Sequence, residues 1–346
     1  MKKSLLLSLL ALATIVGCNS NNDSSSNKNS STPGNSTLVS SSKVDFKKNT
    51  DLKIITPTGA PTLAMLNYLH DESYETNTTP ANIIASMNAG TYDIVVVDTI
   101  GGMNAISKGA DYKMAATITF GNYFIYSTGN DENGVMEAGD TIISFGKSQT
   151  PDKLFNYLFP DIEVTEYVAG VADTNPVACS GAFALEDGLT NVDYVFMAEP
   201  VMFAMMSNKE CKTNGKGSEY LNIQEEFKKK NSDAIISGAA IFVKNSTFEN
   251  KKDQVLEVLN NIKINIKEIT ETPLLAKTRI ETLGDQTAQK ARIGIAAGAA
   301  FNVLKDNNSV GLGYLDYTDV SLITKVSAYY AVLGATAPVE TNYLKD

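Results

Sequence analysis

Side chains that could carry out nucleophilic, acid–base or metal chemistry are few in this chain of 346 residues. It has one histidine, His70, and three cysteines, Cys18, Cys179 and Cys211. A Ser-His-Asp triad, a Cys-His dyad or a His-rich zinc site would each have at most one imidazole available. His70 also belongs to a His-Asp-Glu stretch that is typical of a solvated helix end. We therefore predict no enzyme activity, no metal site and no cofactor.

The sulfur-containing side chains of the folded part are interpreted as packing residues. Cys179 and Cys211 could pair in an oxidising compartment, but their spacing matches no disulfide framework. We interpret them as two separate buried thiols. A group of methionines is interpreted as core packing rather than as a metal site: Met197, Met202, Met205 and Met206.

Candidate binding residues lie in loops where predicted strands end and helices begin. A helix N-terminus offers free backbone N–H groups and the positive end of its dipole to polar groups of a ligand. Such helix starts follow Gly59, Thr99, Ser148 and the stretch 172–175. The residues predicted to line a ligand site are Thr58, Gly59, Thr99, Asn122, Tyr123, Ser148 and Glu199.

Each of these residues also has a structural alternative. Gly59 and Gly146 could serve only to allow tight turns between a strand and a helix. Thr99 could be a helix N-cap, and Tyr123 could pack within a sheet. Glu199, which precedes a proline, could be a solvated turn residue.

Short apolar runs alternate with helical patterns and would position these loops. The continuous β-branched run at residues 94–97 is typical of a parallel sheet that is covered on both faces. The predicted strands are residues 52–56, 94–97, 113–120, 123–128, 140–146, 162–167, 194–197 and 239–243. The main predicted helices are 62–69, 81–87, 176–186, 252–270 and 285–305, with others beginning near residues 98 and 150. No strand is predicted after residue 243.

This order of elements predicts two α/β lobes and a helical C-terminal third. About 295 residues follow the N-terminal region, more than one hydrophobic core usually supports. We predict one lobe from residues 51–135 and 238–346, and a second from residues 136–237. Ligands of such folds bind beyond the carboxyl ends of the strands, so the lobes would face each other there.

The N-terminus has the features of a secretory signal over residues 1–17. Two lysines precede a short apolar stretch, residues 5–16, which at about 18 Å is too short to cross a bilayer core of roughly 30 Å. Residues 15–18, Ile-Val-Gly-Cys, resemble the bacterial lipobox, in which the cysteine receives a diacylglyceryl group. We therefore predict lipidation of Cys18, the alternative being an ordinary cysteine. Acyl chains would then attach the protein to a membrane.

Residues 18–50 consist mostly of Ser, Asn, Thr, Lys and Gly, and are predicted to form a disordered linker after the lipidated cysteine. A coil of this length has a reach of roughly 30 Å, enough to hold a folded domain away from a membrane. The formal charge of the whole chain is −10. Nucleic acid is therefore not expected as a partner.

The order of motifs resembles the type II periplasmic binding proteins, in the branch of sulfonate, nitrate and thiamine-precursor binders with THI5/NMT1-like architecture. The resemblance covers about residues 52–273. The motifs that carry it lie at residues 57–61, 92–97, 108–109, 121–123, 142–146 and 192–200. It implies an α/β fold of two lobes joined by a hinge, which close on one small molecule.

Together with the predicted lipidation of Cys18, the resemblance implies an extracytoplasmic solute-binding lipoprotein of an ABC importer with an ABC permease as partner. We also predict a monomer. One alternative is a surface sensor or interaction lipoprotein with the same fold. A lipid-anchored enzyme is a further alternative, but the sequence shows no acid–base or nucleophile group for it. The sequence does not distinguish a cell with one membrane from a cell with two.

The ligand class is inferred from the available side chains. The only arginines, Arg279 and Arg292, lie in the helical C-terminal part, outside the predicted binding loops. A guanidinium fork for an anion is therefore not apparent. The 15 tyrosines and 13 phenylalanines could stack on a ring, and Glu199 could accept a hydrogen bond from an amino group. A heterocyclic vitamin precursor is favoured, with a sulfonate-like anion as the alternative.

Overall fold

The computed structural model of the protein describes residues 46–212, 217–231 and 234–345. The predicted signal peptide, the lipidation site Cys18 and nearly all of the predicted linker lie outside the described residues. None of the helices within the described ranges is long and apolar enough to cross a membrane.

The described residues form strands and helices that alternate along most of the chain. The strands are β1 (Ile54–Pro57), β2 (Tyr74–Asn77), β3 (Ile94–Asp98), β4 (Tyr112–Thr119), β5 (Tyr123–Ser127), β6 (Ile142–Phe145), β7 (Glu166–Val168), β8 (Ala182–Leu185), β9 (Gly188–Asn191), β10 (Tyr194–Ala198), β11 (Ser218–Asn222), β12 (Ala239–Lys244) and β13 (Leu312–Asp316). The helices are α1 (Ala60–Leu63), α2 (Pro80–Asn88), α3 (Thr99–Ser107), α4 (Thr150–Leu158), α5 (Thr174–Ser180), α6 (Val201–Ser207), α7 (Lys209–Lys212), α8 (Ile223–Lys230), α9 (Asn245–Asn250), α10 (Lys252–Glu271), α11 (Pro273–Glu281), α12 (Gln286–Ile293), α13 (Ala297–Lys305) and α14 (Ser321–Val332).

Two mixed sheets form the two lobes. The first has the strand order β13-β4-β12-β3-β1-β2, with β1 parallel to β2 and β3, and β12 antiparallel to β3 and β4. The second has the order β11-β5-β10-β6-β7, with β6 parallel to β7 and β10, and β5 antiparallel to β10 and β11. The apolar run of β3 is fully buried, as expected for a central strand that is covered on both faces.

The chain passes from the first sheet to the second between Thr119 and Tyr123, and returns between Asn222 and Ala239. The first passage lies about a dozen residues before the lobe limit predicted at residue 135, because β5 pairs with β10 of the second sheet. The domain boundaries themselves stay a prediction.

A buried apolar cluster extends across both lobes. It contains Val95 of the first sheet, Phe196 of the second sheet, and Tyr329 and Tyr330 of α14. Helix α10 covers another face of the first sheet, with a buried stripe at helical spacing that includes Val258. The packing therefore links the lobes through a shared core as well as through the two chain crossings.

Several elements differ from the sequence predictions. The long helix predicted at residues 285–305 is two helices, because Gly294 adopts a left-handed φ of 93° after α12. The helix predicted at residues 176–186 ends at Ser180, where Gly181 has a φ of 65° and the β8–β9 hairpin begins. Strand β13 contradicts the prediction of no strand after residue 243, since it pairs with β4 at the edge of the first sheet. Strands β2 and β11 were also not predicted.

Cys179 and Cys211 form a disulfide, with their Cα atoms 4.6 Å apart. The interpretation as two separate thiols is therefore wrong. The cysteines lie on α5 and α7, which pack together although 32 positions separate them in the sequence. Tertiary packing thus produces a pairing that no spacing rule indicated.

Candidate functional site

A cavity of about 130 Å³ lies where strand ends of the two sheets meet, and is called the cleft cavity here. Its wall includes Pro57 and Asp98 at the ends of β1 and β3, and Phe145 and Ala198 at the ends of β6 and β10. Both lobes therefore contribute to it, at the edge where α/β sheets bind their ligands.

Most of the predicted binding residues line the cleft cavity. They are Thr58, Gly59, Asn122, Tyr123 and Glu199. Thr99 and Ser148 do not line it.

The loop after β1 is held from both sides by backbone hydrogen bonds. The N–H of Thr58 donates to the carbonyl of Asn77 at 3.1 Å, and the N–H of Gly59 donates to the carbonyl of Ile293 at 2.7 Å. These two N–H groups are therefore not free for a ligand, contrary to the expected helix-start site. Gly59 has a φ of 106°, which explains the glycine as a turn residue. The side chain of Thr58 remains as the polar group of this loop.

Thr99 is fully buried and fixes the start of α3 to β12. Its hydroxyl lies 2.9 Å from the hydroxyl of Ser237, and its N–H donates to the carbonyl of Gly238 at 2.9 Å. The N-cap of α3 is Asp98, whose side chain accepts from the N–H of Gly101 at 2.8 Å. The hydroxyl of Thr99 is thus used within the fold, and its role as a ligand contact stays a prediction.

Ser148 lies in a separate surface depression with Asp152 and Val332. It has a φ of 64°, and its N–H donates to the carboxylate of Asp152 at 2.7 Å. The next residue, Gln149, reaches the cleft cavity instead. The sequence pattern identified the correct loop, but the left-handed turn at Ser148 directs the chain so that this side chain does not line the cleft.

Asn122 and Glu199 join the loops that come after β4 and β10. The N–H of Glu199 donates to the carbonyl of Asn122 at 2.8 Å, and the side-chain amide of Asn122 donates to the carbonyl of Glu199 at 2.6 Å. The peptide bond between Glu199 and Pro200 is cis. This paired arrangement positions the Glu199 side chain, so Glu199 is not a solvated turn residue.

Tyr123 packs among aromatic rings at the base of the cleft cavity. Its ring centroid lies 5.8 Å from that of Phe196 and 6.4 Å from that of Phe145. Tyr123 therefore lines the cavity and also packs against aromatic side chains of the second sheet. Burial raises the pKa of Tyr123 above its ordinary value, so its hydroxyl stays protonated.

Glu199 is a buried carboxyl group of the cleft. The side chain is 6% exposed, and its carboxylate accepts from the N–H of Phe203 at 2.9 Å. Burial raises the pKa of Glu199 to about 7; the bond from Phe203 opposes this rise, and the nearby Glu219 and Asp306 add to it. A carboxyl group poised near neutrality can bind a cation or donate a hydrogen bond, depending on pH.

Asp98 is a cleft residue that is not among the residues predicted from the sequence to line the site. Burial raises the pKa of its carboxyl group, which lines the cavity while capping α3. The signal was present in the sequence, because an aspartate directly after a buried strand and before a helix is a typical N-cap. The cleft wall in the described residues thus has two carboxyl groups, those of Asp98 and Glu199, and no lysine or arginine.

The two arginines are used elsewhere. The guanidinium of Arg279 donates to Asn265 at 2.6 Å and also to Glu268, and that of Arg292 donates to the carbonyl of Tyr74. Their predicted location outside the binding loops is confirmed. His70 is exposed and lies 2.7 Å from the hydroxyl of Thr282. Within the described ranges, no group of three or more His, Cys, Asp or Glu side chains could hold a metal ion.

A second cavity, of about 670 Å³, also has Glu199 in its wall and is called the side cavity here. Its wall comes from the β4–β5 connection, α6, β11, α8 and the loop between α13 and β13. Of the four methionines interpreted as core, Met202 and Met206 also contribute to this wall, although Met202 is buried. No sequence signal indicated this cavity, because loops that are distant in sequence enclose it.

Comparisons with protein-family models and with curated proteins give no match. Solved structures do match. An ABC transporter protein from Parabacteroides distasonis has a TM-score of 0.61 and 12% identity, over 85% of this chain and 99% of that chain. The alkanesulfonate-binding protein SsuA from Xanthomonas axonopodis pv. citri, bound to MOPS, has a TM-score of 0.59 and 12% identity, over 85% of this chain and 98% of that chain.

A third similar structure is the CA3427 gene product of Candida albicans, with the generic periplasmic binding protein fold. Its TM-score is 0.52 and its identity 13%, over 84% of this chain and 92% of that chain. At these identities the likeness establishes the fold. The chain has the type II periplasmic-binding-protein fold, which is the fold of ligand-binding components of ABC transporters, and the predicted fold class is confirmed.

Proposed function

We propose that this chain is the extracytoplasmic solute-binding lipoprotein of an ABC importer, which captures a small molecule between its two lobes and delivers it to a permease. The observation that carries this proposal is the cleft cavity, to which strand ends of both sheets contribute, in a fold shared with ABC transporter proteins. Such a cavity changes its shape when the lobes move, so a ligand can favour closure.

The cleft wall favours a neutral or cationic ligand. The structurally similar alkanesulfonate-binding protein is bound to MOPS, but the cleft cavity of this chain contains the carboxyl groups of Asp98 and Glu199. Burying an anion beside them costs free energy without a compensating guanidinium. The rings of Tyr123 and Phe145 offer surfaces to a heterocycle. A heterocyclic, amine-bearing ligand therefore fits the wall better than a sulfonate.

The proposal is tested by a thermal-shift screen of the chain against nucleosides, thiamine precursors, amino acids and sulfonates, followed by small-angle scattering. A ligand at 100 times its dissociation constant adds about 2.7 kcal/mol of stability and should reduce the radius of gyration as the lobes close. Thr58→Val, which keeps the shape of the side chain but removes its hydroxyl, should weaken that ligand's binding. A ligand that binds without closure and without sensitivity to Thr58 would contradict the proposal.

The lipoprotein part of the proposal needs its own experiment. The cell fraction of the wild-type chain and of Cys18→Ala should be compared, with incorporation of labelled palmitate as the readout. We expect palmitate in the membrane-bound wild type and its loss, with release of the chain from the membrane, in Cys18→Ala. Equal membrane binding by both chains would remove the lipid anchor from the proposal.

A surface sensor or interaction lipoprotein is the second candidate, and the small cleft favours it. The cleft cavity of about 130 Å³ is smaller than the roughly 300–1,000 Å³ of typical ligand pockets. A sensor with a permanently closed cleft predicts no ligand in the screen and no change in the radius of gyration. The same two measurements therefore distinguish the candidates.

A further inference from the structure

The side cavity has a volume typical of small-molecule sites, about 670 Å³. Its apolar wall includes Phe120, Phe124 and Phe203, together with the thioethers of Met202 and Met206. Aromatic faces and methionine sulfur both interact favourably with organic cations and with apolar groups. The wall is therefore suited to a ligand that has an apolar body.

The Glu199 carboxylate provides a buried charge in this wall. The residue as a whole is 6% exposed. Among the described residues, Phe203 is the one hydrogen-bond donor to this carboxylate, and it contacts Oε2. Within the same ranges, Oε1 is left as an acceptor without a protein donor. In the described part of the chain, Oε1 is not one of the fully buried side-chain atoms that lack a hydrogen-bond partner, so a donor in the cavity can reach this acceptor.

The wall of the side cavity carries additional negative charge. Of the residues that the structure describes, Glu219, Glu225 and Asp306 line it with exposed side chains, against one cation, that of Lys228. The wall thus combines the buried carboxyl group of Glu199 with three exposed carboxylates. Carboxylates placed in this way attract a cation towards the cavity and repel an anion.

The loop that closes one side of the cavity is held in a defined shape. Asn307 and Asn308 have left-handed φ values of 55° and 51°, and the side chain of Asn308 exchanges hydrogen bonds with the backbone of Leu312. The carbonyl of Gly311 accepts from the N–H of Phe120 at 2.8 Å. The wall is therefore formed before any ligand arrives, which reduces the entropy cost of binding.

We infer that the side cavity binds an organic cation, an ammonium group attached to an apolar body, with the ammonium donating to Glu199 and the body against the Phe and Met side chains. A metal ion does not fit, because no three potential ligands in the described part of the chain are grouped for one. This site goes beyond the proposed capture of a solute in the cleft cavity, although both cavities share Glu199.

The test is calorimetry of the full chain at pH 8 with phenethylammonium, its neutral counterpart 2-phenylethanol and its anionic counterpart 2-phenylethanesulfonate. We expect the cation to bind most tightly. Glu199→Gln should weaken its binding at least about tenfold, since it removes a charge-assisted hydrogen bond. Asp306→Asn should weaken it by up to about fivefold, as is typical for an exposed charge. The matched control Glu249→Gln, an exposed carboxylate on α9, should leave it unchanged.

The pH dependence gives a second readout. Binding of a cation needs the ionised Glu199, whose pKa is raised to about 7, in the presence of Glu219, Glu225, Lys228 and Asp306. Affinity for phenethylammonium should therefore increase about tenfold from pH 6 to pH 8, because the ionised fraction rises by that factor. In Glu199→Gln the affinity should be nearly independent of pH.

Three results would overturn the inference. One is equal binding of the cation, the alcohol and the sulfonate. Another is that Thr58→Val weakens binding of the cation as much as Asp306→Asn does, which would locate the cation in the cleft cavity. The third is closure of the lobes on a cleft ligand without any cation binding, which would leave the importer proposal intact. Absence of binding in both cavities would remove both proposals.

Discussion

The cleft cavity and the side cavity share Glu199 but are built in different ways. Strand ends and the loops directly after them enclose the cleft cavity, at about 130 Å³. Loops and helix faces that lie far apart in the sequence enclose the side cavity, at about 670 Å³. Strand order therefore determines where a cleft lies, whereas the paths of the loops and the sizes of the side chains determine where a large cavity forms.

The contact of two glycines is expected to be the most sensitive point of the side cavity. A Cβ on Gly311 would lie 1.9 Å from the carbonyl oxygen of Gly121, so the two loops would have to separate. Gly311→Ala should therefore reduce the free energy of unfolding by about 4 kcal/mol, measured by urea denaturation, and weaken cation binding.

The control for this prediction is Gly334→Ala. Gly334 has a φ of 60°, close to the 59° of Gly311, but a Cβ there meets nothing within 4 Å. It should cost only the left-handed conformation, about 1–2 kcal/mol. Equal losses in the two variants would show that the loops are not in close contact.

Glu199→Gln is expected to stabilise the protein in a pH-dependent way. The pKa of Glu199 is about 7 in the folded chain, against an ordinary value of 4.5, so the folded state holds its proton more tightly than the unfolded state does. The free energy of unfolding of the wild type is therefore unaffected by Glu199 below about pH 4.5, where the group is protonated in both states. It decreases as pH rises from about 4.5 to about 7, and above that range the decrease is complete. At pH 8 the glutamine variant should be more stable by about 3 kcal/mol, and at pH 4 the two should be equal.

Urea denaturation at pH 4, 6 and 8 gives this difference directly. Glu249→Gln serves as the matched control, because its carboxylate is exposed and should show no such trend. A constant difference between wild type and Glu199→Gln across this range would contradict the burial of an ionisable Glu199 beside both cavities.

Thr99→Val separates a structural role from a ligand role at the cleft. The hydroxyl of Thr99 contacts Ser237 and the carbonyl of Gly238, and valine removes both contacts while keeping the side-chain shape. We expect a loss of about 1–2 kcal/mol in the free energy of unfolding, with unchanged affinity for a cleft ligand. A loss of affinity without a loss of stability would instead support the prediction that Thr99 contacts the ligand.

Ser148→Gly is expected to have the smallest effect. Serine at a φ of 64° is strained, and glycine relieves this strain while making the unfolded chain more flexible. The net change should be a stabilisation of about 0.5 kcal/mol, without effect on either cavity. Ser86→Gly, inside helix α2, should instead destabilise by about 0.5–1 kcal/mol. Thermal unfolding of both variants tests the contrast, and altered ligand binding in Ser148→Gly would refute the assignment of Ser148 outside the cleft.

Local patterns were enough to predict most of the elements that surround the cleft. The β-branched run of β3 and the apolar stripe of α10 are periodic signals that depend on neighbouring residues alone. Edge strands such as β2, β7 and β13 are short and partly exposed, so their pattern is weak, and two of these three were missed. Glycines such as Gly181 and Gly294 end helices through a left-handed φ, which depends on the path of the next segment. The two helices predicted at these positions therefore extended beyond the glycines that end them.

The amino-acid sequence by itself determined the fold class and the loops that meet at the cleft, because strand and helix periodicity and the rules of parallel sheets are local or topological. Only the tertiary structure decided which side chains of those loops reach the cavity, that Cys179 pairs with Cys211, and that Glu199 lies between two cavities. These features depend on distances between residues far apart in the chain, such as Gly121 and Gly311, and on the desolvation that packing imposes.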